Sequence, residues 1–265
     1  MLKTVFNYIK KFVISKKKVN DELDSSTTNE TNKVILNKNL ILKNFYEDCY
    51  QIFKGEIKNS DQLKILEIGS GAGFIKKFIP NVITSEIIQL KGVDLTIDAE
   101  RLPFLNKSLD VIILLNVIHH IPNTEKFLSE CYRALKCDGQ LLLIEPANTW
   151  FSRIIYKNFH HEDFDENGGW CLKKKGGRLS NANQAIPYII FERDLKIFKE
   201  KFNGFSLIKK YKFKPIHYVL SGGFSYEPIF NNKLFLKIIR ILEFILSPFN
   251  NFLGLFMFIK IKKIQ

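Results

Sequence analysis

The sequence predicts an α/β protein built on a doubly wound, mostly parallel sheet, and three features predict it. An apolar run of strand type, Ile65, Leu66 and Ile68, leads straight into a glycine turn at Gly69, Gly71 and Gly73. Such a turn lets a ligand approach the backbone closely. Further apolar runs alternate with segments of helical period, which implies parallel strands joined by crossover helices. Finally, Glu67, Glu86, Asp98 and Asn116 fall at strand ends, where ligands bind in sheets of this kind.

Taken in order, residues 36–55 read as a helix and 64–68 as the first strand. A short helix through Lys77, strands at 82–86, 93–97 and 110–115, a helix over 124–136 and a strand at 140–145 continue the alternation. Residues 147–188, with Trp150, Trp170 and two Gly-Gly pairs but little periodicity, read as a lid or substrate insertion. Beyond it, 189–202 reads as a helix, 207–213 and 218–220 as strand pieces, and 255–260 as the strand that closes the sheet. The organisation expected is a basic segment and linker at 1–33, a ligand-binding core at 34–146, the insertion at 147–188 and the rest of the fold at 189–265.

The glycine spacing narrows the ligand. A dinucleotide fingerprint requires a third glycine at position 74, where the chain has Phe74. The glycines fall instead as G-x-G-x-G, two residues after Glu67. Residues 93–104 (V-D-L-T-I-D-A-E-R-L-P-F), 108–122 (S-L-D-V-I-I-L-L-N-V-I-H-H-I-P), 127–136 (F-L-S-E-C-Y-R-A-L-K) and 138–146 (D-G-Q-L-L-L-I-E-P) follow. These blocks, in this order, resemble the class I S-adenosylmethionine (SAM) methyltransferases, most closely the type 11 methyltransferase domain. The resemblance implies a Rossmann-like methyltransferase fold with SAM as cofactor.

It also implies roles. The backbone of Gly69, Ser70, Gly71 and Gly73 would pass beside the methionine part of SAM, with Glu67 orienting its ammonium. A carboxylate ending an apolar strand is costly to bury without a partner, and a cationic ligand gives Glu67 a reason to be there. The ribose hydroxyls call for a carboxylate at the end of the second strand. Glu86 is chosen over Asp94, because Asp98 follows Asp94 too soon for a crossover and another strand; the connection between strands two and three is then shortened to a loop. Asp98 would accept from the adenine amino group, with the Ala99 backbone beside the ring, and Asn116 would line the methyl-transfer face.

His119 and His120 follow Asn116 directly, and His160, His161, Glu162 and Asp163 form a second cluster. That second cluster resembles the H-H-E-x-F-D segment of some methyltransferases from bacterial envelope-polysaccharide clusters. His119, His120, His160 and His161 are the candidate bases, since imidazole titrates near neutral pH. No metal site is expected, because adjacent residues do not readily converge on one ion and no i, i+4 histidine pair is present. The expected activity is O-methylation of a small molecule, glycan or lipid-linked envelope intermediate. Quinone or lipid C-methylation is the alternative within the enzyme class, and a SAM-binding scaffold without turnover is the alternative outside it.

Charge is unevenly spread over the net +13. Residues 1–18 carry six Lys and no acid, 19–150 carry 14 basic against 18 acidic residues, and 151–265 carry 20 against 9. A basic surface suits an anionic membrane, nucleic acid or a phosphorylated substrate, but no nucleic-acid module is legible. Leu2, Val5, Phe6, Ile9, Phe12 and Val13 give residues 1–18 the pattern of a basic amphipathic helix, without the cleavage site of a signal peptide. Residues 19–33 read as a flexible linker. Helix 233–247 is apolar but too short to span a bilayer, and core packing or a cavity wall is its favoured role, with membrane contact the remaining option. Cys49, Cys131, Cys137 and Cys171 form no C-x-x-C pair, so a reducing cytoplasm, extending to the inner face of the membrane, is the expected location.

Overall fold

A computed structural model of the chain describes residues 26–160, 162–173 and 181–264. The expected N-terminal amphipathic helix, His161 and the Gly176-Gly177 pair lie outside the described residues.

Seven strands form one sheet in the order β3-β2-β1-β4-β5-β7-β6: β1 (Ile65–Ile68), β2 (Ile83–Glu86), β3 (Leu95–Thr96), β4 (Leu109–Leu115), β5 (Leu135–Pro146), β6 (Phe205–Phe213) and β7 (Phe256–Lys263). Strands β1 to β5 pair in parallel, whereas β7 runs antiparallel between β5 and β6. The strand order reverses between β1 and β4, where Glu67 stands opposite Ile113. That reversal opens the crevice in which such sheets bind ligands. The expected doubly wound, mostly parallel fold is therefore present.

Both faces of the sheet are covered because successive side chains point to opposite sides. Leu66, Ile112, Leu114, Leu141 and Leu143 pack with Phe127, Leu128 and Cys131 of helix α3 (Thr124–Ala134). Ile65, Val111, Ile113, Leu142 and Ile144 pack on the opposite side with Phe45, Cys49, Tyr50 and Phe53 of α2 (Leu40–Glu56). Near-continuous apolar strands are the expected signature of a sheet buried on both faces. All four cysteines are free thiols, with Cys49 and Cys131 in these cores.

Several sequence expectations change. Residues 26–33, read as linker, begin helix α1 (Ser26–Lys38); Asn39 then caps α2 by accepting from Leu42 N, so the expected helix at 36–55 is broken in two. The strand expected at 93–97 contracts to two exposed residues on the sheet edge. The insertion starts with α4 (Trp150–Phe159), whose capping box is made by Thr149 and Ser152. Residues 189–202 are not one helix: a π-helical stretch at Ile189–Arg193 precedes α5 (Leu195–Lys201). Residues 218–220, expected as strand, lie in helix α6 (His217–Ser221), which the left-handed Gly222 ends.

The largest correction concerns α7 (Lys233–Leu246). Its only buried residue is Ile239, so neither core packing nor a cavity wall describes it. Leu234, Ile238, Ile241 and Ile245 recur at helical spacing on the side away from Ile239 and are exposed, Leu234 at 70%. Among the described residues no helix is long and apolar enough to cross a membrane.

Candidate active site

The crevice holds a cavity of about 550 Å³. At one end β1 runs into the glycine turn. Gly69 and Gly71 adopt left-handed backbone, with φ of 70° and 46°, and a side chain at Gly69 would run into Val117. These positions therefore require glycine. Ser70 locks the turn to β2, its hydroxyl accepting from Ser85 N at 3.1 Å and its backbone N–H donating to Ser85 O at 2.9 Å.

Glu67 is 1% exposed, and its Oε2 has no hydrogen-bond partner. Burial raises its pKa to about 7; the Ser70 hydroxyl works against this rise and the nearby Glu86 carboxylate adds to it. Glu86 closes β2 and accepts from Ile87 N at 2.7 Å and Gly71 N at 3.1 Å. Burial keeps its pKa above the ordinary range in spite of those two donors. Asp94 faces away from the cavity. It pairs with Lys76 at 2.6 Å and accepts from Thr84 N and Oγ1, each at 2.8 Å. Burial would raise the Asp94 pKa, but the Lys76 and Thr84 contacts hold it low. Asp98 and Ala99 line the cavity beyond β3. Asn116 follows β4 in left-handed backbone at φ 58°, and its buried Oδ1 has no partner. Asparagine is among the few residues other than glycine that tolerate this conformation.

Helix α1 also borders the cavity, through Thr28, Asn29 and Asn32. No sign of this is legible in the sequence, because a polar stretch without apolar periodicity reads as linker.

The histidines line the same cavity. His119 is 3% exposed, and its Nδ1 lies 2.6 Å from Glu145 Oε2. A carboxylate only accepts, so Nδ1 carries the proton. Glu145, fully buried at the end of β5, is fixed by Val117 N at 2.7 Å and Ile118 N at 2.8 Å. Glu162 reaches in from the insertion, 3.5 Å from His119 Nε2 and 3.5 Å from His120 Nε2. Burial depresses the His119 pKa, but Glu145 and Glu162 together overcome it and raise it to about 9. Burial and the neighbouring His119 lower His120 to about 4. His160 stands beside them: its Nδ1 accepts from Gln184 Nε2 at 2.8 Å, and the same amide donates to Glu162 Oε2 at 2.9 Å.

Of the residues expected from sequence, Glu67, Gly69, Ser70, Gly71, Gly73, Glu86, Asp98, Ala99, Asn116, His119, His120 and His160 all line this one cavity. Sequence reasoning missed Glu145 and took Glu162 only as a member of the second cluster, not as a partner of His119 and His120. Glu145 lay in the E-P pair ending an apolar strand, and the same cost of a buried carboxylate that marked Glu67 could have marked it. The expectation of no metal site rested on adjacent residues failing to converge; the fold instead brings His119, His120 and Glu162 together, with donor atoms within 4.8 Å of one another.

The strand order, with an antiparallel β7 between β5 and β6, defines the class I methyltransferase fold. Residues 66–143 match the model of the methyltransferase domain family. A ubiquinone/menaquinone biosynthesis C-methyltransferase UbiE of Rickettsia bellii is 32% identical over 127 residues, covering 47% of this chain and 48% of that protein. An uncharacterized protein of Methanocaldococcus jannaschii is 28% identical over 203 residues, covering 71% and 75%. A polyketide synthase-nonribosomal peptide synthetase, TwmB of Talaromyces wortmannii, is 26% identical over 157 residues, covering 48% and 5%. The chain thus spans about half the length of the UbiE relatives and a small part of the synthetase. A SAM-dependent methyltransferase structure from Archaeoglobus fulgidus aligns with a TM-score of 0.48 at 18% identity, over 82% of this chain and 94% of that one.

The cavity fits SAM on its own residues. An orphaned buried carboxylate oxygen on Glu67 suits an ammonium, and the glycine turn leaves room for a ligand against the backbone. Glu86 at the end of β2 suits a diol, and Asp98 beyond β3 an exocyclic amine. When bound, SAM supplies an electrophilic methyl on a sulfonium. The protein's part is to hold that group against an acceptor and exclude water.

Proposed function

We propose that this chain is a SAM-dependent methyltransferase that methylates an oxygen of a small molecule, glycan or lipid-linked intermediate. The observation that carries the reading is a single cavity bordered both by Glu67, whose buried Oε2 has no partner, and by the His119–Glu145–Glu162 network. Methyl transfer to a hydroxyl releases a proton, and the histidine end of the cavity supplies groups able to receive one. His119, His120 and His160 border the cavity there, with Glu162 beside them.

A lipid-linked acceptor draws support from α7. Its exposed stripe continues into Phe249 and Phe252, and Phe252 stacks on exposed Trp150 with ring centroids 5.1 Å apart. Lys233 and Lys237 stand on the same helix. This is the composition of an element resting on an anionic membrane surface. The same feature supports a second reading, C-methylation of a quinone or lipid, in keeping with the C-methyltransferase names of the UbiE relatives.

The test is calorimetric titration with SAM and, separately, S-adenosylhomocysteine. Both should bind the wild-type chain in the micromolar range, and Glu67→Gln should weaken SAM at least about tenfold, the loss of one charge-assisted hydrogen bond. Absence of binding by either ligand to folded protein would overturn the reading. With binding in hand, turnover on a panel of lipid-linked sugars and quinones, followed by mass and NMR analysis of product, separates oxygen from carbon methylation.

A further inference from the structure

We infer that His119, His120 and Glu162 form a binding site for one divalent transition-metal ion at the acceptor end of the cavity. Two imidazoles and one carboxylate are a recurrent donor set for Zn²⁺, Fe²⁺ and related ions in sites that leave coordination positions open. The spacing suits an ion: Glu162 Oε2 lies 3.5 Å from His119 Nε2 and Glu162 Oε1 lies 3.5 Å from His120 Nε2. These separations are close to those between neighbouring ligands about 2.1 Å from one centre.

The surroundings of His119 make the stronger argument. A ligating histidine characteristically gives its other ring N–H to a carboxylate, which fixes the ring and raises its basicity. His119 does this through Nδ1 to Glu145 at 2.6 Å. Glu145 is in turn held by two backbone N–H groups of the turn that carries the histidines. Nε2 of His119 is thereby aimed at Glu162, and an ion would take the place of the proton there. The third ligand, Glu162, comes from the insertion, so the site joins two separate parts of the chain. Gln184 Nε2 donates to Glu162 Oε2 and helps hold it in place.

Metal binding itself is independent of the methyl-transfer reading; the role given to the ion rests on it. An open position facing the cavity would hold and polarise an acceptor hydroxyl oxygen. The hydroxyl proton leaves to solvent and the oxygen lone pair forms the new O–CH₃ bond. The C–S bond breaks with its electron pair on sulfur, leaving a neutral thioether.

The experiment uses the full chain, stripped with EDTA and dialysed, then titrated with Co²⁺ and with Zn²⁺. The expected result is saturable binding of one equivalent, visible ligand-field absorption for Co²⁺ and its displacement by Zn²⁺. His120→Ala and Glu162→Gln should abolish the absorption, and Glu145→Gln should weaken binding roughly 10–100-fold. Circular dichroism of each variant separates ligand loss from unfolding. Failure of the stripped wild-type chain to bind either ion would overturn the site, as would Co²⁺ binding unchanged in both ligand variants. Titration of the same stripped sample with SAM tells such a failure apart from failure of the methyltransferase reading.

Discussion

Glu67 is a carboxylate buried within the apolar strand β1. It has an ordinary carboxyl pKa near 4.5 in the unfolded chain and about 7 in the fold. Because the folded value is the higher one, its charge opposes folding. That opposition is absent well below pH 4.5, grows between 4.5 and 7 and is complete above 7, where it is on the order of 3 kcal/mol. Glu67→Gln should therefore raise the thermal midpoint of the ligand-free protein at pH 8 and leave it nearly unchanged below pH 4.5. A ligand ammonium acts in the opposite sense, since it favours the carboxylate. SAM affinity should consequently fall about tenfold for each pH unit below 7, as protons compete for Glu67. Titrations between about pH 5.5 and 7.5 check this, and a flat profile would remove Glu67 as the ammonium's partner.

Strands and helices differ in how far the sequence disclosed them. β1, β4 and β5 are apolar runs buried on both faces, and nothing competes with that pattern. α1 and α6 were misread because neither has a strong period of its own: α1 is polar, and α6 is five residues long and stands on tertiary contacts such as Glu243 accepting from Ile216 N and His217 N. Among candidate site residues, Glu67 was legible because a carboxylate interrupts its apolar run, and Asn116 through the family resemblance of its block. Glu145 and Glu162 acquire their roles only when β5 and the insertion meet over His119, a contact no local spacing encodes. β2 provides the sharpest test of strand placement. Glu86 lines the cavity whereas Asp94 is tied to Lys76 and Thr84 outside it. Glu86→Ala should weaken SAM binding roughly 10–100-fold, the worth of hydrogen bonds to a charged group. Asp94→Ala should lower stability and leave SAM affinity within about twofold. Calorimetry of the two variants decides it, and the reverse ranking would put the ribose on the wrong side of β2.

At the scale of the whole molecule, charge and exposed apolar surface act together. A net charge of +13 draws the protein toward any anionic surface, and this attraction is long-ranged but screened by salt. It does not by itself orient the molecule. The stripe of Leu234, Ile238, Ile241 and Ile245, extended by Phe244 at 79% exposure, gives one face a short-range preference for hydrocarbon. Each such side chain that enters the interface contributes on the order of 1–2 kcal/mol. The protein should therefore sediment with vesicles containing phosphatidylglycerol more than with phosphatidylcholine alone, and raising salt should release only part of it. Ile238→Asp combined with Ile241→Asp should lower vesicle binding by at least about tenfold. Because α7 lies outside the cavity lining, SAM affinity should stay unchanged. Binding that vanishes entirely with salt and ignores the double substitution would mean that charge alone acts and that α7 is covered by a protein partner. Binding that survives salt but fails in the variant would mean that the α7 stripe enters the vesicle surface.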